Sequence, residues 1–222
     1  MCKLIKKFYL MIIRNLNRLN LNYLINIFVK NFSLDGYINF GSTLANKYFI
    51  KKIIESKFYL EIGAGNSTLL ADSFNKLFFS IETSKNFFYL VKKRIKKKNN
   101  IKFFNLGIVG EYSYPIFIYK SKSLKYIKFI EKFLKLKKFP DLILVDGRYR
   151  VLILIELFKY KKKIIDNDTC ILLDDYQNRS YYKILNKLYL IKKIGRMAQL
   201  TPKKDFVIKN KDLFENYYYD SR

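Results

Sequence analysis

The sequence predicts an α/β fold in which helices wind both faces of a mostly parallel sheet. Three observations carry that expectation. Short apolar runs rich in β-branched and aromatic residues recur near 58–62, 77–82, 101–106, 141–146 and 169–174. Helical patterns fall between and after them, near 67–76, 84–97, 122–137, 150–162 and 178–189. Regular alternation of this kind means βαβ units joined by right-handed crossovers. Finally, the first run, Phe58 to Ile62, ends directly in Gly63-Ala-Gly65, and a helical pattern opens at about Asn66. That is strand, tight glycine turn and helix N-terminus, an arrangement whose free N–H groups suit polar or anionic ligand atoms.

The chain divides into a basic helical extension (1–45), the α/β domain (46–210) and a tail (211–222). In the extension Lys3, Lys6, Lys7, Arg14, Arg18 and Lys30 interleave with Leu10, Ile13, Leu21, Leu24, Ile25 and Phe28 at helical spacing. Its longest apolar run, Phe8 to Ile13, is six residues, too short to span a bilayer or to form a signal-peptide core. A helix packed as a lid across the site is the preferred reading, and peripheral contact with an anionic membrane surface is the other. A loop with Asp35, Gly36, Gly41 and Ser42 leads to a helix near Thr43 to Ser56. Past the alternating core, Tyr189 to Lys209 reads as two β-like runs around Thr201-Pro-Lys-Lys-Asp205.

Net charge is +26, with Lys providing 36 of the 44 basic residues and Arg only 8. Phosphate and base recognition favours the planar fork of Arg, so nucleic acid is not the expected substrate. The lysine runs Lys92–Lys98, Lys135–Lys138 and Lys159–Lys163 each close a helical pattern. Cations there offset the helix macrodipole. In a parallel sheet those ends lie away from the strands' carboxyl edge, where ligands bind, so the runs are expected opposite the site. Cys2 and Cys170 are far apart, and Cys170 falls in an apolar strand pattern, which points to a free buried thiol and a reducing cytoplasm.

Two details sharpen the glycine turn. Glu61 precedes Gly63 by two positions, and Glu82 follows Gly63 by 19 residues at the end of the second apolar run, placed to accept ribose hydroxyls. Thr68 stands where a dinucleotide fold wants its third glycine. Together, Glu61-Ile-Gly-Ala-Gly-Asn-Ser-Thr68 and Glu82 resemble the cofactor site of class I S-adenosylmethionine-dependent methyltransferases, with Ser67 at the position of that family's frequent third glycine. The resemblance implies a Rossmann-like, seven-stranded sheet closed by a C-terminal antiparallel hairpin. It implies that Glu61, Gly63, Gly65, Asn66, Ser67 and Thr68 hold the methionine end of S-adenosylmethionine and that Glu82 holds its ribose.

Acids also end the fourth and fifth strands: Asp146, followed by Gly147, and the pair Asp174-Asp175, followed by Tyr176. In a doubly wound sheet these strands are neighbours, so the three carboxylates converge and repel unless a cation or protons compensate them. Asp146-Gly147 and Asp174-Asp175-Tyr176 resemble magnesium-dependent O-methyltransferases, which implies a small-molecule or sugar acceptor, Asp146 and Asp175 as catalytic residues, and Mg²⁺ on Asp146, Asp174 and Asp175. An oxygen-only site suits that ion. The alternatives are an N-cap role for Asp175 and simple pairing of Asp146 with Arg148 or Arg150. Arg148 and Tyr176 are the candidate substrate contacts. The overall pattern, including Val145-Asp-Gly-Arg-Tyr-Arg-Val151, also resembles a little-characterised bacterial methyltransferase-like group, which implies fold and cofactor but no acceptor. With no histidine in the chain, a proton must leave the acceptor by another side chain.

Overall fold

The computed structural model describes residues 38–110, 113–208 and 212–222. Residues 1–37 of the extension expected over 1–45, and Cys2 with them, lie outside these residues. The first helix, α1 (Thr43–Glu55), starts where the Ser42 hydroxyl accepts the Ala45 N–H at 3.2 Å. There follow β1 (Phe58–Ile62), α2 (Asn66–Ser73), β2 (Leu77–Glu82), α3 (Lys85–Arg94), β3 (Ile101–Phe103), α4 (Lys120–Leu134) and β4 (Leu142–Val145). The second half runs α5 (Arg150–Phe158), α6 (Lys161–Asp166), β5 (Cys170–Leu173), a 3-10 turn (Ser180–Ile184), α7 (Leu185–Leu188), β6 (Tyr189–Ile194), β7 (Met197–Pro202) and a 3-10 segment (Asp212–Tyr219).

The seven strands form one sheet in the order β3-β2-β1-β4-β5-β7-β6. Strands β1 to β5 are parallel, and β7 runs antiparallel to both β5 and β6. The architecture is the Rossmann-like, doubly wound sheet with a closing antiparallel hairpin. All five residues of β1 and all four of β4 are buried, as strands covered on both faces must be.

Strand parity sorts the core into two layers. Leu60, Ile62, Ile143, Val145, Ile171 and Leu173 point to one face, under α4 and α5 residues such as Ile127, Ile130, Leu152 and Ile155. Tyr59, Phe78, Leu142, Leu144 and Leu172 point to the other, with Phe49 and Ile53 of α1, Ala71 of α2 and Val91 of α3. Every residue of α5 is buried, because the C-terminal segment covers its outer side. There Tyr149 and Arg150 donate their N–H groups to the carbonyls of Ser221 and Arg222, and the Tyr218 hydroxyl donates to buried Glu156 at 3.1 Å. The stretch read from sequence as a tail is thus packed onto the domain.

Four sequence expectations are corrected in detail. The hairpin turns at Gly195-Arg196 rather than at 201–205. Ile194 pairs with Met197 there, and Gly195 supplies the left-handed φ of 58° that a two-residue turn requires. The helix expected over 150–162 divides into α5 and α6, and the one expected over 178–189 becomes a 3-10 turn followed by α7. Left-handed Asp175 and Asn178 (φ 56° and 61°) delay the latter. The third strand stops at Phe103 rather than 106, and the Asn105 side chain then accepts the Gly107 N–H. Two of the basic runs close helices as expected, with Lys92, Lys93 and Arg94 in the last turn of α3 and Lys135 capping α4; of the third, Lys159 caps α5 but Lys161, Lys162 and Lys163 open α6. Among the described residues no helix is long and apolar enough to cross a membrane.

Candidate active site

The strand order reverses between β1 and β4, and open α/β sheets bind ligands beyond the carboxyl ends at that point. A cavity of about 440 Å³ lies there, walled by Gly63 and Ala64 after β1, Glu82 to Ser84 after β2, Asp146 to Arg148 and Arg150 after β4, and Asp174, Asp175 and Arg179 after β5. Ser113, Tyr114 and Phe87 complete it.

Gly63 is glycine for a reason internal to the fold. Its φ is +102°, and a Cβ would stand 2.6 Å from the Gly147 nitrogen and 2.7 Å from the Asp146 carbonyl carbon. The turns after β1 and β4 therefore press backbone on backbone, and only glycine permits that approach. At Gly65 the nearest atom to an added Cβ, on the Phe87 ring, is 3.8 Å away.

Glu61 is fully buried and does not line the cavity. Parity places it on the α1–α3 face, where Ser67 and Thr68 of α2 and Ser80 of β2 donate their hydroxyls to its carboxylate. The Thr68 hydroxyl also accepts the Gly65 N–H at 3.0 Å. Glu61, Ser67 and Thr68 thus bolt the glycine turn from behind. Burial pushes the Glu61 carboxyl up, and the three hydroxyls oppose that shift. Asn66 opens α2 and, like Gly65, lies outside the cavity wall.

Glu82 reaches the cavity as its position suggested. Its carboxylate accepts the N–H groups of Ala64 at 3.0 Å, Thr83 at 2.7 Å and Ser84 at 2.6 Å. The group is 5% exposed, and burial pushes it up to about 7 against those three bonds.

The acids of β4 and β5 do converge, and arginine compensates them. Arg150, 3% exposed, donates to the Asp146 carboxylate at 2.9 Å and to the carbonyls of Gly147, Asp146 and Asp174 at 2.9, 3.1 and 3.0 Å. It also approaches Asp175 at 3.5 Å. Asp175 is further held by Arg179 at 2.5 Å and by Arg196. With Asp175 so engaged, the donor set does not fit the metal site that the sequence suggested. Among the described residues no group of three metal-ligating side chains is assembled.

Asp174 is different. It is 5% exposed, and its Oδ1 is buried with no hydrogen-bond partner among the described residues. Burial first, then the neighbouring Asp146 and Asp175 charges, push it up to about 8, and burial likewise raises Asp146 to about 6. Arg148 also lines the cavity, its guanidinium 4.1 Å over the Tyr114 ring. Tyr176 does not reach the cavity: its ring stacks on Tyr182 at 5.7 Å. Of the alternatives the sequence offers, the pairing of Asp146 with Arg150 is the one present, and Arg150 is buried rather than at the surface. Its signal was its place four residues after Asp146, one helical turn on, where the two side chains meet.

No family model and no curated protein matches the chain. Among solved structures it is similar to a methyltransferase-like protein from Silicibacter pomeroyi, with a TM-score of 0.62 and 19% identity over 80% of this chain and 95% of the other. At that identity the likeness establishes the shared fold.

Proposed function

We propose that the protein is a class I S-adenosylmethionine-dependent methyltransferase that methylates a hydroxyl of a small molecule or sugar. One observation carries the reading: a carboxylate at the end of β2, fixed by three backbone N–H groups, forms the wall of the switch-point cavity. A carboxylate whose orientation is so fixed can accept two vicinal ribose hydroxyls. The methyltransferase-like fold supports the same cofactor. When bound, the cofactor supplies an electrophilic methyl group.

The chain's own residues then orient the acceptor and manage its proton. Asp174 Oδ1, buried beside the cavity without a partner among the described residues, holds the acceptor hydroxyl and, once ionised as pH approaches about 8, takes its hydrogen as a proton. Asp146 and Asp175, bonded to arginine, set the field around Asp174 rather than contact the acceptor. No step is routed through Mg²⁺, since Arg150, Arg179 and Arg196 already pair with the Asp146 and Asp175 carboxylates.

The test is calorimetric titration of S-adenosylmethionine and S-adenosylhomocysteine into wild type and Glu82→Ala. Micromolar binding that the variant loses is expected. Wild type that binds neither compound ends the reading.

A further inference from the structure

We propose that Arg148 is an anion-binding residue of the acceptor pocket, so that the methyl acceptor carries a carboxylate or phosphate group. Calling the bound anion part of the acceptor rests on the methyltransferase reading; the anion site itself does not.

The three arginines on the cavity wall are in different states. Arg150 makes four hydrogen bonds from its guanidinium to carbonyls and to Asp146. Arg179 is held by the Asp175 carboxylate and bonds the Tyr181 hydroxyl at 2.8 Å. Arg148 is 7% exposed, and its Nη1 is buried without a hydrogen-bond partner among the described residues. A buried charged donor is costly unless an acceptor meets it. The Tyr114 ring covers one face of the guanidinium at 4.1 Å, which leaves its edge for a ligand in the cavity. A guanidinium edge matches two oxygens of a carboxylate or phosphate.

The backbone aims this side chain. Arg148 lies between Gly147 and Tyr149, which sits at φ 60°, an uncommon conformation for a bulky residue. Tyr149 is held there by its buried ring, 6.2 Å from the Tyr126 ring, and by its N–H bond of 3.1 Å to the Ser221 carbonyl. The turn is over-determined from outside the cavity, so Arg148 projects from a rigid base.

The experiment follows the guanidinium resonances of ¹⁵N-labelled full-length protein as inorganic phosphate, or acetate, replaces chloride at constant ionic strength. The Arg148 signal is assigned by its loss in Arg148→Leu, whose fold is checked by circular dichroism. Expected is a saturable shift of Arg148 that the surface arginines do not show, with phosphate binding about ten-fold weaker in Arg148→Lys, which keeps the charge but not the fork. A response that is linear, or shared by all arginines, overturns the proposal. Repeating the titration in saturating S-adenosylhomocysteine separates the sources of the anion. Phosphate that still saturates Arg148 supports the acceptor assignment. If S-adenosylhomocysteine itself shifts Arg148 and abolishes the phosphate response, the anion is the cofactor's own carboxylate and the acceptor assignment falls. If S-adenosylhomocysteine does not bind while phosphate titrates Arg148, the methyltransferase reading falls and the anion site stands.

Discussion

The two sides of the switch point manage their carboxylates in opposite ways. On the β1–β2 side, neutral donors meet them: hydroxyls of Ser67, Thr68 and Ser80 on Glu61, and backbone N–H groups on Glu82. On the β4–β5 side, Asp146 and Asp175 are met by the guanidinium groups of Arg150, Arg179 and Arg196. Neutral donors fix a carboxylate's direction while leaving its charge for a ligand. Arginines cancel the charge and tie neighbouring strand ends together. The first side is therefore built to present a carboxylate, and the second to lock a scaffold around the two groups left over, Asp174 and Arg148.

The lock on the β4–β5 side is where a substitution should hurt most. Arg150→Leu removes the common partner of two strand ends and leaves Asp146 unpaired, at a cost of about 3–5 kcal/mol in urea denaturation. A loss below about 1 kcal/mol would show that the arginine network does not hold the edge. The glycine turn offers the next largest effect. Gly63→Ala forces a Cβ against the Gly147 backbone at positive φ and should cost about 3 kcal/mol. Gly65→Ala meets only the Phe87 ring, at 3.8 Å, and should stay within about 1 kcal/mol of wild type. Equal effects at the two glycines would refute the backbone-on-backbone packing.

Much of this was legible in the sequence because it follows from chain geometry. The β1 and β2 boundaries, the parallel core and the arrival of Glu82 at the cavity depend on apolar periodicity and on a glycine turn between strand and helix. Parity along Phe58–Ile62 already set Glu61 and Tyr59 on one face and Leu60 and Ile62 on the other. What sequence could not supply was which oxygen each donor reaches. Asp146, Asp174 and Asp175 look alike as a metal triad until Arg196, from the distant hairpin turn, arrives at Asp175. That contact arises only once β7 inserts between β5 and β6. The hairpin turn itself was misplaced because Pro202 and the charged run after it suggest a turn more strongly than the lone Gly195 does.

Titration sharpens the contrast between the two sides further. Asp174 is pushed up to about 8 in the folded chain from an ordinary carboxyl value. A raised acid favours the folded state while it keeps its proton, and that contribution is lost as pH rises through about 8. Asp146, at about 6, and Glu82, at about 7, act in the same direction. Asp174→Asn should therefore stabilise the protein at pH 8 by on the order of 2 kcal/mol, with a gain that shrinks toward pH 5. Denaturation midpoints at both pH values read it directly, and a gain that does not vary with pH would mean that Asp174 is not the group that titrates.

The smallest effect concerns the other side, where the carboxylate is presented rather than locked. Glu82 can accept from both ribose hydroxyls only when ionised, because protonation turns one of its oxygens into a donor, and burial holds it at about 7. Binding of S-adenosylhomocysteine should then tighten as pH rises from 6 to 8, by about ten-fold, and release about one proton at the low end. Its three backbone bonds oppose the burial shift, so a ribose that adds two more donors draws the group further toward ionisation. Calorimetry in two buffers of different ionisation heat measures the proton count. Affinity that is flat over this range, with no proton released, would place the ribose elsewhere and remove Glu82 from the site, leaving the β1–β2 carboxylates as scaffold like those of β4 and β5.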